Sequence, residues 1–135
     1  MAPAWSVMSE RHPERLSSVH RLRAVRDFDA LKAHGIAFRG RLCVLVVHPC
    51  PGEVTKVGFV ASKRSVGNAP HRNRARRRMR EIVRRRWPRV PPTGFLLMLI
   101  ATRSTVPAAH QELASELERV LAEAGALRPI RLEVA

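Results

Sequence analysis

KRSVGNAPHRNRARRRMREIVRRR, residues 63–86, is the stretch on which the reading of this chain turns. Ten arginines and a single acid, Glu81, lie between Arg72 and Arg89. Gly67-Asn68 is a turn dipeptide, and Pro70 has the fixed φ that suits the first turn of a helix. Strong helix formers (Ala, Arg, Met, Glu) then dominate until Trp87-Pro88, where proline stops the helix. At ~100° per residue, Ala75, Met79, Ile82, Val83 and Trp87 share an arc of ~140°. Arg74, Arg77, Arg78, Arg84 and Arg85 fill the opposite side. One face can dock on a core while the other presents guanidiniums. Arg72 and Arg76 fall inside the apolar arc near the helix start, as expected if the first turns overhang the core or if this end faces a partner. With so little acid nearby, intramolecular pairing cannot neutralise the helix, and a polyanion would relieve its self-repulsion.

Outward from this helix the chain reads as a small α+β domain. Leu22, Val25, Phe28 and Leu31 recur at three-residue steps, predicting a short amphipathic helix over 21–34 closed by Gly35. LCVLVVH (42–48) is a continuous β-branched run, turned by Pro49-Cys50-Pro51-Gly52. KVGFVAS (56–62) is a second strand, and the pair reads as an antiparallel hairpin. After the arginine helix, FLLMLIA (95–101) is a third, buried strand. Pro107 opens a last helix with Leu113, Leu117, Val120, Leu121 and Ala124 on one stripe, ended by Gly125. That helix carries Glu112, Glu116, Glu118 and Glu123, so charge is segregated along the chain. The order α-β-β-α-β-α predicts a small central sheet with helices packed on it. Residues 1–19 read as a mostly disordered extension, 20–128 as one α/β domain, and 129–135 as a tail in which IRLEV (130–134) alternates like a strand.

The composition sets the partner class. The chain has 135 residues, enough for one core, and is 45% hydrophobic. Its net charge is +14, and 22 of its 25 basic residues are arginine, leaving only Lys32, Lys56 and Lys63. No apolar run approaches a membrane span, the start lacks the order of a signal peptide, and Cys43 and Cys50 form no CxxC, so a reducing, cytoplasmic location is expected. An active site is hard to assemble: Asp27 and Asp29 point to different faces of their helix. Cys43, His48 and Cys50 lack a fourth zinc ligand, and no P-loop is present. Nucleic-acid binding leads. RNA is favoured over DNA, because no helix-turn-helix, zinc finger or zipper accompanies the basic helix. Phe28, Phe38 and Phe59 are the candidates for base stacking, although core packing is the commoner role of each.

At the signature itself the sequence becomes specific. Ser62-Lys63-Arg64, Val66-Gly67-Asn68-Ala69, Arg72-Asn73-Arg74 and Arg76-Arg77 with Arg80-Glu81 resemble the signature of the bacterial ribonuclease P protein family. HRLRAVRDF (20–28), GRLCVLVV (40–47), KVGFVASKR (56–64), FLLMLIATR (95–103) and the last helix resemble that family's other elements. The resemblance covers about residues 20–124. It implies an α/β sandwich with a left-handed βαβ crossover, an exception to the general rule of handedness.

It also implies a function: partnership with a large catalytic RNA, one protein per RNA, in removing 5′ leaders from precursor tRNA. In that family the RNA performs the hydrolysis with bound Mg2+, and the protein holds the leader. Carried over by position, Lys63, Arg64, Asn68, Arg72, Asn73, Arg74, Arg76, Arg77 and Arg80 would contact RNA. A leader cleft between the first helix and the sheet would involve Phe28, Lys32, Val46 and Phe59. Lys32 and Val46 stand where the family commonly has aromatics, and Lys32 would supply a phosphate contact instead. No catalytic or metal-ligating residue is assigned to the protein. Two other readings stay open: an RNA chaperone or ribosome-associated protein using the same helix, and a protein-only hydrolase, for which the carboxylate cluster is missing.

Overall fold

Strand β4 (Thr93–Ala101) runs through the middle of a four-stranded sheet and is buried on both sides from Leu96 to Leu99. In the computed structural model, which describes residues 16–129, helix α1 spans Val25–His34, β1 Ile36–Arg39, β2 Cys43–Val54 and β3 Lys56–Val60. The short helix α2 (Lys63–Val66), the long α3 (Ala69–Arg86), β4 and α4 (His110–Glu123) follow. Single 3-10 turns occupy Ser18–His20 and Trp87–Arg89. The sheet order is β1-β2-β4-β3. β2 pairs antiparallel with β1 and β4, whereas β3 pairs parallel with β4.

The expected hairpin between the second and third strands does not form. β4 lies between them, and β3 reaches it through a crossover that contains α2 and α3. A strand buried on both faces needs neighbours on both edges, and β4 has the most continuous apolar run in the chain. The Pro49–Gly52 segment does not end its strand either. β2 continues to Val54 with a register shift after Cys50 and a positive φ of 83° at Gly52. β1 is an addition to the expected elements. Four residues between Gly35 and Gly40 pair with Val44–Val47, giving the sheet one more edge.

Each face of the sheet carries its own cluster. Cys43, Leu45, Val47, Val57, Leu97 and Leu99 face α3 and α4, meeting Ala75, Met79, Ile82, Val83, Leu113, Leu117, Val120 and Leu121. Four members of the predicted arc on α3 are thus fully buried, and the fifth, Trp87, packs half-buried at the margin. Leu16 belongs to this core, whereas residues 1–15 and the alternating 130–134 segment lie outside the described residues. Among the described residues, the opposite face is covered by α1 and the segment just before it. There Leu22, Leu31, Leu96 and Met98 are buried, with Phe28, Val46, Val60 and Ile100 only partly so.

Gly35 sets how closely α1 lies on this second face. A Cβ there would stand 2.3 Å from Leu31 O and 2.4 Å from Val46 Cγ1. Its φ is −68°, so this glycine serves close approach rather than a left-handed cap.

Candidate nucleic-acid interface

Capping side chains place the arginine helix. Ser62 Oγ accepts the Ser65 N–H at 3.0 Å and starts α2, and Asn68 Oδ1 accepts the His71 N–H at 3.1 Å and starts α3. Gly67 between them has φ 112°, a conformation that separates the two helices and that L side chains rarely adopt. Asn68, expected among the RNA contacts, thus uses its carbonyl oxygen as the α3 cap. Once α3 seats its apolar stripe on the sheet, its other directions are committed to arginine.

Those arginines divide into two groups. Toward the C-terminal end, Glu81 pairs with Arg84 and Arg85, while Glu118 on α4 pairs with Arg86 at 2.6 Å and Arg89 at 3.3 Å. Hydrogen bonds from Arg84 and Arg86 hold the Glu81 and Glu118 carboxyls below the ordinary range. Arg78 is committed differently, donating to the backbone carbonyls of Thr105 (2.9 Å), Val106 and Ala108 (2.7 Å). It therefore leaves the guanidinium face on which the helical projection puts it. Toward the N-terminal end, Arg72, Arg74, Arg76, Arg77 and Arg80, with Lys63 and Arg64 on α2, make no salt bridge among the described residues. Arg64, Arg74, Arg77 and Arg80 are exposed, and Arg72 and Arg76 half-buried. Asn73 Oδ1 accepts from Arg76 at 2.6 Å and orients it.

The second part of the candidate interface is the incompletely covered sheet face. Val44 and Ile100 pair across β2 and β4 at the margin of the α1-side cluster, against which Ile100 packs partly buried. Together with Arg64, Ser65, Ala101, Thr102 and Arg103 they line an open depression of about 380 Å³. Its apolar floor and cationic rim suit a flexible anionic strand with hydrophobic bases. Of the expected cleft residues, Phe28 and Val46 share the α1-side cluster, and Lys32 is exposed one turn after Phe28 on α1. Phe59 does not join them. Side chains alternate along β3, so Phe59 follows Val57 onto the α3 face, where the Arg80 guanidinium lies 5.5 Å from its ring centroid. Phe38 likewise packs against the main core. Arg103 and Thr102 were not expected as site residues. Their signal was their place directly after the central strand, which ends at the depression.

Among the described residues no group of three or more His, Cys, Asp or Glu is placed to hold a metal ion. Asp27 is buried and lies 3.4 Å from Lys56 Nζ. Burial pushes the Cys43 thiol up to about 12, and Cys43 and Cys50 belong to clusters on opposite faces of the sheet. No helix among the described residues is long and apolar enough to cross a membrane.

This scaffold has recognisable relatives. The sequence profile of the family described as Ribonuclease P matches residues 16–125. The ribonuclease P protein component of Symbiobacterium thermophilum is 35% identical over 114 residues, covering 84% of this chain and 97% of the relative. That of a Nocardioides species is 39% identical over 117 residues, covering 82% and 96%. In fold, the chain superposes on the Staphylococcus aureus RNase P protein with a TM-score of 0.70 at 22% identity, covering 81% of this chain and 98% of the other. The Thermotoga maritima RNase P protein gives 0.66 at 24% identity, covering 76% and 96%. The two structures speak to the fold and the profile and relatives to the lineage, and on these grounds the chain belongs to the ribonuclease P protein family.

Proposed function

We propose that this chain is the protein subunit of a ribonuclease P holoenzyme, binding the catalytic RNA and the 5′ leader of precursor tRNA during leader removal. The observation that carries this reading is the division of charge on α3. The C-terminal arginines are paired with Glu81 and Glu118, while seven cations at the other end and on α2 have no carboxylate partner among the described residues. A fold gains nothing from holding unneutralised guanidiniums together unless an anion joins them. Arginine's planar fork matches phosphate oxygens and base edges. In this reading Lys63, Arg64, Arg72, Asn73, Arg74, Arg76, Arg77 and Arg80 meet the catalytic RNA.

The leader then lies across Phe28, Lys32 and Val46 toward the depression lined by Val44, Ile100, Arg64 and Arg103. With no aromatic partner at positions 32 and 46, the leader is held chiefly by its phosphates, Lys32 among the contacts. Hydrolysis and the Mg2+ it needs belong to the RNA, and the protein raises affinity for substrate. One protein per RNA, acting in the cytoplasm, completes the proposal.

Equilibrium binding to an in vitro transcribed bacterial ribonuclease P RNA across a salt series tests it. Arg76→Ala with Arg80→Ala should lower the slope of log affinity against log salt by roughly 1.5, about 0.7–0.9 per lost phosphate contact. An unchanged slope and affinity would refute the assignment.

A further inference from the structure

Arg21 lies outside the signature, yet the fold fixes it beside α3. Leu22 N–H donates to Val57 O at 3.0 Å, His20 Nδ1 lies 2.7 Å from Thr55 O, and Arg21 forms a parallel bridge with Val57. The segment before α1 thus adds one rung along the outer edge of β3. Side chains alternate across that rung. Leu22 belongs to the α1-side cluster and lies over Gly58, where a Cβ would come within 3.0 Å of it. Arg21 is therefore turned to the α3 face, with Val57 and Phe59. Arg80 lies on the same face, above the Phe59 ring.

Arg76 and Arg72 precede Arg80 by one and two helical turns, and the Nε of Arg72 is buried without a hydrogen-bond partner. Successive members of this row stand ~6 Å apart along the helix axis. That spacing is comparable to the distance between neighbouring phosphates of one RNA strand. Among the described residues none of the four arginines has a carboxylate partner. Partial burial, then Arg21 and then Arg76, lower the Arg80 guanidinium's affinity for its proton, as expected for cations crowded without a counter-ion.

We propose that Arg21 extends the RNA-binding face over the β3 edge, so that Arg72, Arg76, Arg80 and Arg21 form one track for consecutive phosphates of a single RNA strand. The inference rests on the reading of α3 as the surface that binds the catalytic RNA, and it adds a residue from a separate segment to that surface. Phe59 acts here as the support that holds Arg80 in line, rather than as a platform for a base.

The test uses the full chain, a bacterial ribonuclease P RNA transcribed in vitro, and affinities measured from about 50 to 200 mM salt. Arg21→Gln should lower the slope of log affinity against log salt by about 0.7–0.9, a roughly threefold smaller loss of affinity over that range. Arg80→Gln should do the same. Arg21→Lys, which keeps the charge, should retain the slope, and Arg119→Gln on α4 should leave it unchanged although it removes the same net charge. A normal slope for Arg21→Gln beside a lowered one for Arg80→Gln would overturn the inference and leave the RNA-binding reading standing. An equal loss in Arg21→Lys would assign the effect to packing and likewise overturn it. If neither glutamine variant changes the slope, the reading of α3 falls with it.

Discussion

Replacing Arg78 by alanine would remove three hydrogen bonds that tie α3 to the segment after β4. Its guanidinium donates to Thr105 O, Val106 O and Ala108 O, and the same segment is fixed by the buried Thr105 hydroxyl donating to Leu42 O at 2.6 Å. Hydrogen bonds from a charged donor contribute ~1.5–3 kcal/mol each, but Arg78 is half-buried and the freed carbonyls regain some water. A loss of ~2–4 kcal/mol is the expected balance, a fall in Tm of roughly 10 °C for a domain of this size. The salt dependence of RNA binding should not follow what charge alone suggests. Because the Arg78 guanidinium is already engaged by carbonyls, its loss should leave the salt slope of binding unchanged. The exposed neighbour Arg77 supplies the comparison: Arg77→Ala should keep Tm within about 2 °C and lower the slope by about 0.7–0.9. Thermal melts by circular dichroism and a salt series of RNA binding read both quantities. Arg78→Ala with wild-type Tm and a slope reduced as in Arg77→Ala would refute the assignment of Arg78 to the loop.

Three further outcomes follow from the geometry. Gly35→Ala places a Cβ against Leu31 O and Val46 Cγ1, so α1 must move off the sheet. A destabilisation of about 1–3 kcal/mol and weaker precursor tRNA binding are expected in melts and filter binding. Glu118 has its carboxyl pKa held down by the hydrogen bond from Arg86, so its stabilisation is present above the ordinary carboxylate pKa and is lost as pH falls through the lowered folded value. Wild-type Tm should therefore drop more between about pH 6 and 3 than that of Glu118→Gln, and parallel curves would contradict this. Cys43 is fully buried with its thiol pushed up to about 12, whereas Cys50 is half-buried. Iodoacetamide treatment of native protein followed by mass spectrometry should find Cys50 alkylated well before Cys43.

Much of the architecture was legible in the chain because it depends on local periodicity. The apolar arc Ala75, Met79, Ile82, Val83 is the face that α3 buries, and Pro70 and Trp87-Pro88 bracket the helix where they were expected to. What periodicity does not carry is which strand lies beside which. Val44–Val47 and Val57–Val60 are close in sequence and suggested a hairpin, yet the pairing that formed leaves β4 between them. The sign was present in Leu96–Leu99, a run with no polar side, which only a central position buries on both faces. β1 was missed because Ile36–Arg39 is too short to show an alternation.

The same distinction governs the site. The signature cations were readable as a cluster, but which of them face outward depends on tertiary partners. Arg78 lies on the same projected side as Arg74 and Arg77, and only the positions of Thr105 and Ala108 decide that it is engaged within the protein, whereas Arg84 is engaged locally by Glu81 three residues before it. Phe59 was expected in the cleft, and strand register put it on the other face. Arg103 and Arg21 come from segments far from the signature in sequence, and the sheet brings one to the depression and the other to the β3 edge.

The most direct measurement is a precursor-tRNA cleavage assay at low magnesium with a bacterial ribonuclease P RNA, with and without this protein. Correct 5′ maturation that requires both components, and that falls when Arg76→Ala is combined with Arg80→Ala, is the predicted result. Cleavage by the protein alone, or RNA binding without any stimulation of cleavage, would contradict the account.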